Sequence, residues 1–248
     1  MSGHSKWSTI KRQKGAADAK RGQLFTKLAR EITVASRSGL PDPDSNPRLR
    51  LAVQRARAAS MPKDNIDRAI ERGSGETGGD NYDELYYEGY GPGGTALMIY
   101  ALTDNRNRTV GEVRSALTRA GGTLGESGSV SWMFDQVGQI IIEADGDTVD
   151  ELSMAAIDAG AADVVEGDGA VEIYTESTDL HRVQEAIAGA GYEIEHAELI
   201  MRPKTTMNLE DEMATKVMRL VEKLEDLDDV QTVYSNLEVS DELMAAAG

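Results

Sequence analysis

A glycine-rich run, Gly73-Ser74-Gly75-Glu76-Thr77-Gly78-Gly79-Asp80, divides this chain into two parts that differ in periodicity and in charge. Glycine at this density among small polar residues makes a flexible linker, and a domain boundary is expected there. Before it, apolar residues recur at helical spacing. After it, short strand-like runs alternate with helices. Residues 1–75 carry 16 Lys+Arg against 7 Asp+Glu, a net of +9, and the remainder carries 10 against 36, a net of −26. The whole-chain charge of −17 conceals this division. One part is suited to meet phosphate and the other to avoid it, an asymmetry that points to nucleic-acid contact. Salt screens charges beyond roughly 8 Å, so a basic module acts locally beside an acidic body. A solvated basic helical face with no partner is the plainer alternative.

Met1 to about Gly22 lacks apolar periodicity and carries Lys6, Lys11, Arg12, Lys14, Lys20 and Arg21, which reads as an arm that is mobile until bound. From about Gln23 a helix is expected, with Leu24, Leu28, Ile32 and Ala35 on one stripe and Lys27, Arg30 and Arg37 off it. Gly39-Leu40-Pro41-Asp42-Pro43 breaks it. Asn46-Pro47 supplies an N-cap and a first-turn proline for a second helix that turns Leu49, Val53 and Ala56 inward. Pro62 opens a third through Ile66, Ala69 and Ile70, ending at Gly73.

Beyond the linker, Leu85–Tyr90 and Thr95–Leu102 read as strands joined by Gly91-Pro92-Gly93-Gly94. That turn lacks the Lys-Ser/Thr ending of a P-loop and lies between strands, so a hairpin-type turn is expected rather than a phosphate cradle. Thr109 with Glu112 and Thr148 with Glu151 read as capping boxes. Val130–Phe134 is strand-like, and Gln139–Glu143 follows closely. Helices are expected to end at Ala120-Gly121, Ala159-Gly160 and Ala190-Gly191. The order from about Gln136 to Arg202, strand-helix-strand-strand-helix-strand, is ferredoxin-like. A further helix (Met213, Val217, Leu220 and Leu224 inward) and a strand at Val230–Tyr234 are expected to complete the sheet begun at Leu85. The fold class is therefore α+β, with 1–75 as a basic arm and three-helix domain, 81–135 plus 203–240 as a discontinuous α/β domain, and 136–202 as an inserted ferredoxin-like domain.

At 248 residues the chain has room for two or three domains. It has no cysteine, hence no disulfide, thiol nucleophile or thiolate metal site. No apolar run approaches the ~20 residues that span a bilayer, and the acidic body should repel anionic membranes. His4, His181 and His196 are far apart and form no HExxH motif or serine-hydrolase elbow. Glu225, Asp226, Asp228 and Asp229 lack EF-hand spacing and read as a solvated helix end. No catalytic residue, metal site or cofactor is expected.

Gly3-His4-Ser5-Lys6-Trp7 offers an indole for base stacking beside cations, or a Trp7 that folds back onto the helices. Asp104-Asn105-Arg106-Asn107-Arg108 lies at a strand-to-helix junction. Its Asn side chains can cap turns while its arginines pair with nearby acids, or Arg106 and Arg108 can act as secondary anion contacts beside a helix N-terminus.

These segments, with Lys20-Arg21-Gly22, Phe25-Thr26-Lys27, Asn46-Pro47-Arg48-Leu49-Arg50, Met61-Pro62-Lys63-Asp64-Asn65-Ile66, Tyr87-Glu88-Gly89-Tyr90-Gly91-Pro92-Gly93-Gly94 and Leu224-Glu225-Asp226-Leu227-Asp228-Asp229-Val230-Gln231, resemble the YebC/PmpR family. The resemblance runs in order from Gly3 to about Asn236. It implies three domains, the third inserted in the second. It also implies regulators of gene expression, most often described as DNA-binding transcriptional regulators, with other members resembling ribosome-associated translational activators that act on ribosomal RNA. The expectation is a non-enzymatic, cytoplasmic nucleic-acid-binding regulator without a leader segment. His4, Lys6, Trp7, Lys11, Arg12, Lys14, Lys20, Arg21, Lys27 and Arg30 would contact DNA or ribosomal RNA, and the acidic domains would meet the ribosome or another protein. The alternative is an adaptor whose α/β domains bind proteins or small ligands.

Overall fold

The computed structural model describes residues 18–75, 81–167 and 169–239. The expected arm before Asp18, most of the linker (76–80) and the end of the chain lie outside the described residues. Among those described, Phe134–Lys204 form one compact unit, while 18–133 and 205–239 belong to a second. The mixed α+β class and the inserted ferredoxin-like unit are as the sequence leads one to expect.

Three helices open the larger unit: α1 (Asp18–Arg37), α2 (Pro47–Ala58) and α3 (Lys63–Ser74). Helix α1 begins several residues before the apolar stripe, so Lys20 and Arg21 stand on a helix rather than on an arm. Apolar periodicity reports only the turns that pack, and Asp18-Ala19-Lys20-Arg21 is helix-compatible without it. Asn46 caps α2, its side-chain oxygen accepting from the Leu49 amide at 3.1 Å, with Pro47 in the first turn. Leu28, Ile32, Leu49, Val53 and Ile66 share one small core. Leu24, expected on the inner stripe, is exposed. Helix α3 runs one residue past Gly73, and Gly75 takes the left-handed cap at φ 86°. Gly73 has a different role. A Cβ there would lie 2.4 Å from the Thr33 carbonyl oxygen, so α1 and α3 approach closely only because the residue is glycine. Ser36 Oγ donates to the Ile70 carbonyl at 2.9 Å across the same crossing.

The α/β part of this unit comprises β1 (Asp83–Tyr90), β2 (Ala96–Thr103), α4 (Arg106–Arg119) and β3 (Thr123–Leu124). β1 and β2 form an antiparallel hairpin running from the Asp83–Thr103 pair to the Tyr90–Ala96 pair. The Pro92–Gly94 turn between them is closed by the Gly91 amide donating to the Thr95 carbonyl at 2.8 Å. Helix α4 starts earlier than the Thr109 capping box suggested. Its cap is Asn105, which accepts from the Arg108 amide at 3.1 Å, and Thr109 is buried inside the helix.

The inserted unit follows: β4 (Phe134–Glu143), α5 (Asp147–Asp158), β5 (Asp163–Gly167), β6 (Ala170–Glu176), α6 (Leu180–Gly189) and β7 (His196–Pro203). Its four antiparallel strands lie in the order β5-β6-β4-β7, the ferredoxin-like arrangement. Ile140, Ile142, Val171 and Ile173 are buried, as are Leu152, Leu180, Val183 and Ile187 of its helices. Thr148 is not the cap of α5. Gly146 precedes the helix, and no side chain caps it.

The chain then completes the larger unit with β8 (Met207–Asn208), α7 (Asp211–Glu225), β9 (Val230–Ser235) and β10 (Leu237–Glu238). β9 joins β2, giving the sheet order β3-β1-β2-β9, and β8 pairs with β10 in parallel. Leu97, Ile99 and Val233 from the sheet pack with Val113 and Leu117 of α4 and Val217, Leu220 and Leu224 of α7.

The expected strand at Val130–Phe134 is absent. Residues Ser131–Met133 form a short 3-10 turn, and β4 begins only at Phe134. The cause is Glu88. Its carboxylate accepts from the amides of Gly128 (2.7 Å), Val130 (2.7 Å) and Ser131 (2.8 Å), so those donors are not available to a strand ladder.

Candidate nucleic-acid interface

The basic helices rest on the acidic body through side chains from α1. Gln23 Nε2 donates to the Asp226 carbonyl at 2.6 Å. Lys27 Nζ donates to the Glu225 carbonyl, and Arg30 Nη1 donates to the Asp228 carbonyl. These acceptors lie at and just beyond the C-terminus of α7, where helix carbonyls lack intrahelical donors and the peptide dipoles leave partial negative charge. Arg30 Nη1 also reaches Asp229 Oδ1 at 3.1 Å.

Asp229 is the centre of this contact. It is 1% exposed, and its Oδ2 accepts from Arg108 Nη2 at 2.7 Å, Thr109 Oγ1 at 2.8 Å and Thr103 Oγ1 at 3.0 Å. Burial alone would raise its pKa, but the hydrogen bonds from Arg108, Thr109 and Thr103 outweigh burial and hold it below the usual carboxylate range. Arg108 is raised in turn by the Asp229 and Asp104 carboxylates. The run from Glu225 to Asp229 is therefore a receptor for the basic module, rather than the solvated helix end that its composition suggested.

A second contact lies farther along the same surface. Arg48 Nη2 and Nη1 meet Glu84 Oε1 and Oε2 at 2.7 and 3.1 Å, a bidentate pair. Tyr100 donates its hydroxyl to Glu84 at 2.9 Å and stacks on Tyr86 with ring centroids 5.0 Å apart. Burial and the Glu84 charge push the Tyr100 phenol well above its ordinary range.

The expected contact residues are thus divided. His4, Lys6, Trp7, Lys11, Arg12 and Lys14 lie outside the described residues. Lys20 and Arg21 stand in the first turns of α1, with Arg21 exposed. Lys27 and Arg30 have intramolecular acceptors, so this geometry makes them positioning residues for the module. Arg106 pairs with Asp83 through two bonds of 2.6 and 2.9 Å, and Arg108 is held by Asp104 and Asp229. Of the two readings of this junction, the geometry is that of capping and pairing. Sequence reasoning missed Gln23, Arg48, Thr103, Thr109 and Asp229 as a set. Asp229 stood inside a quoted motif, but nothing local links it to Arg30, 199 positions away.

The exposed cations of the helical module include Arg57, Lys63, Arg68 and Arg72 besides Arg21. Among the described residues no helix is long and apolar enough to cross a membrane, and no group of three or more His, Asp or Glu is placed to hold a metal ion.

A basic three-helix module joined to an α/β body that is interrupted by a ferredoxin-like unit defines a class of three-part α+β protein. The chain belongs to the TACO1/YebC family: that family's N-terminal domain matches residues 5–76, and its second and third domains match residues 82–237. A protein of a Geobacter species named "Probable transcriptional regulatory protein" is 51% identical, covering 98% of each chain. One of the same name from Pelotomaculum thermopropionicum is 54% identical over 97% of this chain and 100% of its own. The crystal structure of a conserved hypothetical protein from Aquifex aeolicus, 47% identical, superposes with a TM-score of 0.83 over 90% of this chain and 93% of that one.

Proposed function

We propose that the chain is a non-enzymatic, cytoplasmic regulator of gene expression that binds nucleic acid through residues 1–75. The observation that carries this reading is the charge division, +9 before the linker against −26 after it. It is supported by the names of the relatives and by helices that keep Arg57, Lys63, Arg68 and Arg72 exposed after the docking contacts are made. Phosphate contact is assigned to Lys6, Lys11, Arg12, Lys14, Lys20 and Arg21, with His4 and Trp7 fitting a non-helical feature. Lys27 and Arg30 hold the module in place. Such contacts position a protein without reading sequence. A basic arm with one indole suits structured or single-stranded RNA better than a DNA groove, and the sequence carries no helix-turn-helix spacing and no signal for a symmetric dimer.

Binding should weaken steeply with salt, log K falling linearly with log salt concentration in proportion to the phosphates neutralised. A slope near zero would sink the reading. Crosslinking in cells, with RNA and DNA both sequenced, decides the target. Ribosomal RNA recovered with the wild type and lost on changing Lys6, Trp7, Lys11 and Arg12 to Ala makes this a translation factor. Promoter DNA lost in the same way makes it a transcription factor.

A further inference from the structure

A cleft of about 280 Å³ opens in the basic module between α1, α3 and the chain entering β1. Phe25 and Met61 contribute apolar wall, and Arg30, Arg68, Arg72 and Tyr82 the polar wall. Among the described residues lining it there is no carboxylate, although the chain holds 43 Asp+Glu. Three guanidinium groups around one small space repel one another and favour an anion between them.

Arg30 is paired with Asp229, but Arg68 and Arg72 meet no carboxylate among the described residues. Arg68 donates to the Asp64 carbonyl at 3.0 Å and to the Asn65 side-chain oxygen, both neutral groups. Arg72, one turn further along α3, is exposed. Arg30 Nε is buried without an acceptor, although Nη1 of the same side chain is held by Asp228 and Asp229. A buried unmet donor carries a desolvation cost that an arriving acceptor removes. The Arg30 guanidinium also lies over the Tyr82 ring, 5.5 Å from its centroid, which fixes two flat groups at the wall.

Size and chemistry together select the ligand. The cleft is slightly below the roughly 300–1,000 Å³ of drug-sized sites, room for one ring system and not for two stacked bases. An acidic peptide would satisfy the arginines but make little use of the wall formed by half-buried Phe25 and the edge of Met61, whose other side packs in the helical core. A flat base with an attached phosphate uses both kinds of wall. We infer that this cleft takes one nucleoside monophosphate unit, its ring against Phe25 and Met61 and its phosphate on Arg68 and Arg72. The unit comes from an unpaired position in a strand, in which case the inference rests on the nucleic-acid reading above, or from free nucleotide.

The test uses the full chain, with Arg72→Glu and Arg72→Gln as variants and Lys11→Ala/Arg12→Ala as the arm control. The probes are a single-stranded oligonucleotide, the four nucleoside 5′-monophosphates and poly-glutamate. Both Arg72 variants should weaken nucleotide or oligonucleotide binding by roughly tenfold or more, the scale of a lost charge-assisted hydrogen bond. Because Arg72 is exposed, melting temperature should stay at the wild-type value. The arm control should weaken only the oligonucleotide. Arg72-dependent monophosphate binding without any oligonucleotide binding upholds the cleft with a free nucleotide and removes the nucleic-acid reading. Oligonucleotide binding that depends on the arm but not on Arg72, with no monophosphate bound, removes the cleft and leaves that reading intact. Poly-glutamate competing as well as nucleotide would also overturn the assignment, since the cleft would then read charge alone.

Discussion

Asp229 and Glu88 are both carboxylates withdrawn from solvent, yet their surroundings neutralise them in different ways. Asp229 is met by side chains from three elements, Arg30 of α1, Thr103 of β2, and Arg108 and Thr109 of α4. Glu88 is met by backbone amides of a single loop, Gly128, Val130 and Ser131. The first arrangement ties the basic helices to the acidic body. The second shapes a loop that leaves Trp132 68% exposed. Charged partners from distant elements make a joint between parts of the chain, whereas amide dipoles make a local mould. Charge division along the chain therefore has two consequences, an exposed cationic face and an inward set of contacts that docks the module.

Asp229→Ala should produce the largest loss. It leaves Arg30 and Arg108 without their buried carboxylate, and breaking such a pair costs about 3–5 kcal/mol. Urea denaturation at neutral pH measures it. A double-mutant cycle with Arg30→Ala should show strong coupling, and additive losses would remove Asp229 from its role as the joint.

Glu88→Gln should cost about 1–3 kcal/mol, because a neutral amide has one acceptor oxygen for three amide donors. Hydrogen exchange at Gly128, Val130 and Ser131 should accelerate while α1 keeps its protection. Faster exchange in α1 would show that the loop is not a separate mould.

Acid should affect both sites in the same direction. Burial raises each pKa, but hydrogen bonds prevail, so both are lowered on folding. Protonation then favours the unfolded chain. The stabilisation is fully present above the unfolded values of about 3.9 for Asp and 4.3 for Glu, and is lost as pH falls through the lower folded values. Asp229→Asn should flatten this acid limb of a stability-versus-pH curve. An unchanged limb would place the acid sensitivity elsewhere.

Arg48→Ala should have the smallest effect, about 0–1 kcal/mol, because the Arg48–Glu84 pair is partly exposed at 40% and 38% of its side chains. A larger loss in the same denaturation assay would mean that docking depends on this outer pair as much as on Asp229.

Local signals were legible where one short segment contains the whole cause. Asn46-Pro47 starts α2, and the Ala-Gly pairs end three helices with Gly121, Gly160 and Gly191 at positive φ. The ferredoxin-like strand order and the return of β9 to β2 follow from element order and handed connections. The misreadings share a different cause. Thr109 has the spacing of a capping box, but its hydroxyl bonds to Thr103 and Asp229 instead. Val130–Phe134 has strand composition, but Glu88 takes its amides. Lys27 and Arg30 meet the carbonyls of Glu225 and Asp228 at and just beyond the end of α7, a contact that no local signal announces.

Composition, periodicity and capping residues were enough to determine the α+β class, the C-terminal ends of three helices and a basic part set apart from an acidic one, because each depends on residues within a few turns or on sums over a segment. Which cations face outward was decided only by tertiary structure. That choice depends on acceptors nearly 200 residues away, and the Coulomb and hydrogen-bond energies that settle it act over a few ångströms of space rather than along the chain.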